Sequence, residues 1–258
     1  MFLLDQYAYT NRLKDIHPIE KTLFSLLTMG VAIVSNNIVV HVLVMLLMAI
    51  LAVIVARIPM KVYINLILLP FGFILIGVIP IIFTGSKHDG SFIYSIKLSS
   101  LYIGITRSGI EAGLIVCLRS LATISCLYFM SLTTPLLEII QLLRKLKLPS
   151  TIIEIMSLIY RFIFVLLESA VVIHNSQSSR LGYSNLGNSF KSMGKLTSMV
   201  FIKAYNNSQS LYLSLVSRGY SGDFNVMSRE YSFSMRNVFL IFAVEIVLIV
   251  LVFMMGSS

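Results

Sequence analysis

Five runs of apolar sequence, the first four separated by shorter polar segments and the last by a long insert, decide what this chain can become. They are Thr22–Val34, Ile38–Ala56, Val62–Phe83, Ser108–Leu132 and Val238–Met255. A bilayer-spanning helix needs about 20 apolar residues, and four of the runs come close to that length. The first is shorter but carries no charge. Inside hydrocarbon every backbone N–H and C=O must be satisfied within the segment, which leaves the helix as the form for such runs. Hydrophobic residues make up 57% of the 258 and charged residues only 12%, where soluble domains run at about a quarter charged. The expectation is an all-α integral membrane protein with about five transmembrane helices. No basic stretch followed by a small-residue cleavage site opens the chain, so no cleavable signal peptide is expected.

The placement of the basic residues sets the orientation. Three precede the first run (Arg12, Lys14, Lys21), two lie between the second and third (Arg57, Lys61), and eleven lie between the fourth and the last, from Arg144 to Arg236. The loop between the third and fourth runs holds Lys87, Lys97 and Arg107. With the N-terminus cytoplasmic and the C-terminus outside, sixteen of the twenty cations are cytoplasmic, as the positive-inside rule asks. A sixth apolar stretch, Ile152–Ile173, carries Glu154, Arg161 and Glu168 at intervals of seven. Seven helical steps fall about 20° short of two turns, so the three charges form one stripe. Such a stripe costs a few kcal/mol per residue in lipid. Spanning would also place the basic 180–236 region outside. The stretch is therefore read as a non-spanning amphipathic helix. Three parts result: a membrane domain over 1–134, a cytoplasmic domain of two or three long amphipathic helices over 135–236, and a final span over 237–258.

Within the insert, Pro135 opens a short helix that ends near Pro149 after Arg144-Lys145-Lys147. A second helix is expected from about Ser150 to Arg180, stopping near Gly182. A loop bracketed by Gly187 and Gly194 follows, and a third helix runs from about Lys195 to Arg218, stopping at Gly219. The two long helices end in one phrase, Ser179-Arg180-Leu181-Gly182-Tyr183-Ser184 and Ser217-Arg218-Gly219-Tyr220-Ser221. A glycine at a helix end takes the left-handed conformation, and a terminal cation favours the dipole. That accounts for a cap. The repetition adds a docking function, because a guanidinium carries five donors that satisfy carboxylates or carbonyls on a partner.

Read together, these residues resemble the transmembrane T component of energy-coupling factor (ECF) importers, in particular the cobalt/nickel type called CbiQ. The likeness covers most of the chain. It runs through Leu4-Asp5-Gln6-Tyr7-Ala8, His17-Pro18 with Lys21, Arg119-Ser120-Leu121, Leu132-Thr133-Thr134-Pro135, Pro149, Tyr160-Arg161-Phe162 and the closing Ser-Arg-Gly-Tyr. The resemblance implies that Arg180 and Arg218 are the arginines of two coupling motifs, with Ser179 and Ser217 before them and Leu181 and Gly219 after. It implies partners: two ABC-type ATPase subunits that bind the ATP, and a separate substrate-binding membrane subunit for Co²⁺ or Ni²⁺. It implies no cofactor and no metal site on this chain. Relatives often carry Arg and Glu mid-way along the second coupling helix, where this chain has Asn206-Asn207-Ser208-Gln209.

Other chemistry is sparse. His17, His41, His88 and His174 have no ligand spacing, and Cys117 and Cys126 fall on opposite faces of one helix. There is no Gly-rich phosphate loop ending in Gly-Lys-Ser/Thr, no His-Glu-x-x-His and no Gly-x-Ser-x-Gly, so catalysis by this chain is not expected. No basic cluster interleaved with aromatics points to nucleic acid. Arg119 is the sharpest intramembrane residue, with Glu111 or Glu245 as its candidate partner in a structural pair. If those three charges lined a pathway instead, the chain would be a self-contained secondary transporter. Pro70 and Pro80 make the third run kink-prone.

Overall fold

The computed structural model describes residues 2–86, 92–98, 101–220, 231 and 235–256; Lys87, His88 and Ser221 lie outside them. It divides into two compact units, one formed by Met1–Glu138 with Glu230–Ser258 and the other by Ile139–Arg229. The sequence boundaries were drawn at 134/135 and 236/237.

The first unit begins with α1 (Phe2–Thr10) and a 3₁₀ turn (Arg12–Asp15). α2 (Pro18–Val34) starts at a proline whose missing N–H costs nothing in the first turn. The His17 side chain accepts from the Ile19 amide at 3.1 Å and so caps this helix. α3 (Ile38–Ile50) is capped by Asn37, whose side-chain oxygen accepts from Val39 N at 2.9 Å. It widens into a π-helical turn over Leu51–Val55 before the chain reverses through Arg57 at φ 57°. α4 (Met60–Ile82) then runs without a break through Pro70 and Pro80.

One addition to the helical expectation follows. The segment read as a plain loop forms a three-stranded antiparallel sheet of β1 (Phe83–Ser86), β2 (Phe92–Leu98) and β3 (Leu101–Thr106), ordered β1-β3-β2. Phe83 pairs with Ile105 and Lys97 with Tyr102, and the register is irregular between Phe92 and Tyr94. β-branched and aromatic residues recur along these strands, as a pleated ladder favours. The charge count used for topology could not see this.

α5 (Arg107–Thr133) packs against α2, α3 and α4, and α9 (Met235–Gly256) packs against α2 and α3. Between membrane helices there is no hydrophobic drive, so close approach relies on small residues and interhelical hydrogen bonds. Both are present. Ala32, Ala122, Ser125 and Cys126 are fully buried, and Ser25 Oγ donates to the Cys126 carbonyl at 2.7 Å. Gly113 lets α5 approach α4 so closely that a Cβ there would lie 3.0 Å from Val78 and Ile82.

The second unit contains α7 (Ser150–Ser178) and α8 (Leu186–Ser217), two long helices joined by a seven-residue turn; α6 (Leu136–Lys145) leads into it. α8 begins nine residues before the expected Lys195. Asn185 is the cause: its side chain accepts from the Asn188 amide at 2.8 Å and nucleates the first turn. Gly187 and Gly194, expected to bracket a loop, are therefore helical.

Among the described residues, five helices are long and apolar enough to cross a membrane: Ile38–Val55, Met60–Ile82, Arg107–Thr133, Ser150–Ser178 and Met235–Met254. This set differs from the sequence set at two places. α2, with 17 residues, falls just short, and α7 qualifies on length and composition. The charge stripe on α7 remains the argument for keeping that helix out of lipid. Arg161 and Glu168 are exposed.

Candidate functional site

Helix ends carry the site. In the second copy of the repeated phrase, Gly219 stands at φ 74°. Its amide donates to Val216 O at 3.0 Å, and the Tyr220 amide donates to Leu215 O at 3.0 Å. This pair of bonds is the Schellman arrangement, with Arg218 as the last residue before the left-handed one. In the first copy the Leu181 amide donates to Ser178 O at 3.0 Å and the Gly182 amide to Gln177 O at 2.8 Å. The frame is the same, and Arg180 occupies the position of Arg218.

One sequence expectation is corrected here. Gly182 was to supply the left-handed cap, yet the positive φ, 57°, falls on Leu181. The reason is steric. A Cβ on Gly182 would lie 2.8 Å from Gln177 O and 2.8 Å from Ser192 Oγ, so the glycine is needed for that approach. Ser192 Oγ donates to Gly182 O at 2.8 Å, and Gln177 Nε2 donates to Ser192 O at 3.1 Å. Tyr183 Oη donates to Gln177 Oε1 at 2.8 Å, and its ring lies 4.6 Å from that of His174. The first end is thus braced from α7, the turn and α8.

Far from that turn, Tyr220 Oη donates to Glu154 Oε2 at 2.6 Å, joining the end of α8 to the start of α7. The two helices form an antiparallel hairpin bonded at both extremities. Arg180 and Arg218 therefore stand at opposite ends. With about 1.5 Å of rise per residue, the 32 residues of α8 separate them by about 48 Å. Both arginines are exposed, and neither guanidinium makes a hydrogen bond or ion pair among the described residues. Leu181 beside Arg180 is 74% exposed.

The intramembrane charges do not converge. Arg119 Nη2 donates to Ser35 O at 3.1 Å and to the Asn36 side-chain oxygen, holding the α2–α3 turn. Neither candidate partner is used. Glu111 meets Arg107 at 3.5 Å, one turn back on the exposed side of α5, and Glu245 accepts from Thr28 Oγ1 at 2.6 Å in the core. Among the described residues, no group of three or more His, Cys, Asp or Glu side chains could hold a metal ion.

Sequence reasoning passed over a second polar cluster. Lys21 Nζ donates to Leu13 O at 3.2 Å and Thr133 O at 2.8 Å, and it faces Glu138 Oε2 at 3.7 Å. Its side chain is 3% exposed and that of Glu138 13%. Tyr231 Oη donates to Glu138 Oε1, and the Tyr231 ring meets His17 edge-on at 6.0 Å. Asn11 Nδ2 donates to Leu132 O at 3.2 Å. The last carbonyls of α5, which no helix can satisfy internally, are thus capped from the N-terminal segment. The signal was present in the matching of His17-Pro18, Lys21 and Leu132-Thr133-Thr134-Pro135, but sequence could not show that these pieces meet.

The family of cobalt transport proteins called CbiQ matches residues 10–231. The chain belongs to the CbiQ family. A cobalt transport protein CbiQ of Salmonella typhimurium is 31% identical over 223 residues, covering 86% of this chain and 99% of that protein. An uncharacterized protein of Methanocaldococcus jannaschii is 30% identical over 252 residues, covering 98% and 93%. The energy-coupling factor transporter transmembrane protein EcfT of Bacillus subtilis is 29% identical over 59% of this chain and 64% of its own length. This CbiQ-type chain is a multi-pass membrane protein and a transporter component.

Proposed function

We propose that this chain is the coupling subunit of an ATP-driven ECF-type importer for Co²⁺ or Ni²⁺. Two partner ABC-type ATPase subunits dock on Arg180 and Arg218, bind the ATP and supply the motion. The α7–α8 hairpin passes that motion to a separate substrate-binding membrane subunit. The chain itself needs no cofactor and catalyses nothing. Its N-terminus is cytoplasmic and its C-terminus outside, so the basic insert faces the ATPases.

One observation carries the reading: two helix ends with the same Schellman bonds present guanidinium groups, without a partner among the described residues, about 48 Å apart on one hairpin. A guanidinium exposed at a fixed backbone cap loses little entropy when a carboxylate or carbonyl groove receives it. Coupling also needs unequal binding, because a partner shifts an equilibrium only by its differential affinity for the two states. Two ends far apart can report the separation of two partners where one end could not. The exposed apolar flank of α7, including Ile155, Ile159 and Ile163, is the surface offered to the substrate subunit.

The test is co-purification of tagged wild type, Arg180→Glu and Arg218→Glu from the native host, with membrane insertion checked in parallel. Wild type is expected to bring down a nucleotide-binding subunit, and each inserted variant to lose it or its coupled hydrolysis. Equal behaviour of all three sinks the docking role and leaves the phrases as caps.

A further inference from the structure

We propose that Lys21, Glu138 and Tyr231 form the joint through which displacement of the insert enters the membrane unit; this rests on the coupling role proposed above. The chain passes between the two units twice, after Glu138 and before Glu230. Both passages are fastened at one carboxylate. Glu138 is itself the last residue of the outgoing passage, and Tyr231, one residue into the return, donates to its Oε1. The other carboxylate oxygen faces Lys21 at 3.7 Å. Lys21 is anchored in turn. An ammonium has three donors, and two of them go to the carbonyls of Leu13 and Thr133. One carboxylate thus links the outgoing and returning passages to the start of α2, the N-terminal 3₁₀ turn and the end of α5.

Stability alone does not explain such an arrangement. The cost of desolvating a buried ion pair cancels most of its Coulombic gain, and an apolar replacement of similar volume often serves as well. What a buried pair with fixed partners provides is register. The segment it grips is already tight: Leu132, Thr133, Thr134 and Pro135 are all essentially inaccessible. The joint ties the outgoing and returning passages to one another through side chains and not through the chain alone. With it, a pull on α6 or on the returning strand moves Glu138, then Lys21, then three elements of the membrane unit together. This is a contiguous network of packed and bonded groups, the physical form that coupling between distant sites requires. Lys21, Glu138 and Tyr231 are positioning residues: they touch neither nucleotide nor cargo.

The experiment uses the full complex in proteoliposomes with Tyr231→Phe and Glu138→Gln, the first removing a single hydroxyl. Both variants are expected to recover the ATPase subunit like wild type and to hydrolyse ATP within about twofold of it. The cargo moved per ATP hydrolysed, read with Co²⁺, is expected to fall roughly tenfold. An unchanged ratio overturns the joint. So does a loss of hydrolysis and uptake in equal proportion, which is what a merely structural role gives. A second readout needs no partner. With the full chain alone in nanodiscs, amide exchange over residues 12–22 is expected to quicken roughly tenfold in Glu138→Gln, as a lost buried contact implies. Unchanged exchange there overturns the joint on its own. If wild type recovers no ATPase, the docking reading fails, and the exchange result alone decides the joint.

Discussion

Leu181 holds a backbone conformation that a side chain resists, because its neighbour cannot give up being glycine. A non-glycine residue in the left-handed region costs about 1–3 kcal/mol. Leu181→Gly removes that strain, and a rise in stability of about 1 kcal/mol is expected in thermal unfolding of the purified protein. Gly182→Ala goes the other way. Its Cβ would press on Gln177 O and Ser192 Oγ at 2.8 Å, and a loss of about 1–3 kcal/mol is expected in the same assay. The second copy reverses the pattern, since Gly219 bears the positive φ and has open space around it. The sequence made Arg180 and Arg218 legible as a pair, because spacing and neighbours repeat. It misassigned the first cap because the extra residue, Leu181, shifts the glycine by one, and only the contact with Ser192 shows which position needs the missing Cβ. A further residue-scale test concerns Thr28. Its hydroxyl donates to one oxygen of Glu245, whose other oxygen is buried without a hydrogen bond among the described residues. Thr28→Val is expected to destabilise by about 1–3 kcal/mol, and full retention of the melting midpoint would contradict a dependence of Glu245 on that bond.

At the scale of elements, α5 is the helix whose failure would spread furthest. It meets α2, α3 and α4, and its last carbonyls are received by Asn11 and Lys21. Asn11→Ala is expected to cost about 1–2 kcal/mol, the usual loss when a helix-end partner is removed. Gly113→Leu should do more, since a bulky side chain at a 3.0 Å approach must separate α5 from α4; a cysteine cross-link between these helices in the parent would be lost in the variant. Most helices could be read from hydropathy and caps: Pro18, Asn37 and Pro149 each stand at or beside a helix start. Two features could not. The strands over 83–106 lie between runs whose apolarity dominates any window, and a period of two is faint beside them. The start of α8 was hidden because Gly187 and Gly194 look like breakers, while the Asn185 cap that overrides them is one residue among many asparagines and serines. For Arg119 the sequence offers two carboxylates, whereas the chain uses a backbone carbonyl and a side-chain amide oxygen.

For the molecule as a whole, the proposed orientation has a direct test. In a chain with both native cysteines replaced, a cysteine at Asn36 is expected to react with an impermeant reagent from outside. One at Ser198 should react only after the membrane is opened. The reverse pattern overturns the proposed orientation and moves both arginines to the outer face. Four of the five long apolar helices and the charge bias were visible in the sequence; what faces what was not, because hydropathy says nothing about partners.

The bonds that close the membrane unit also imply an order of manufacture. Lys21 can meet the Leu13 carbonyl at once but must wait for that of Thr133, and Glu245 reaches Thr28 only when α9 is made. During synthesis α2 is therefore made well before the helices α5 and α9 that its Lys21 and Thr28 side chains meet. The hairpin of α7 and α8, closed at its far end by Tyr220, has these contacts of its own before α9 is made. The hairpin proposed to receive the motion is finished before α9 completes the membrane unit, and a chain cut short before α9 would carry a formed hairpin without that helix.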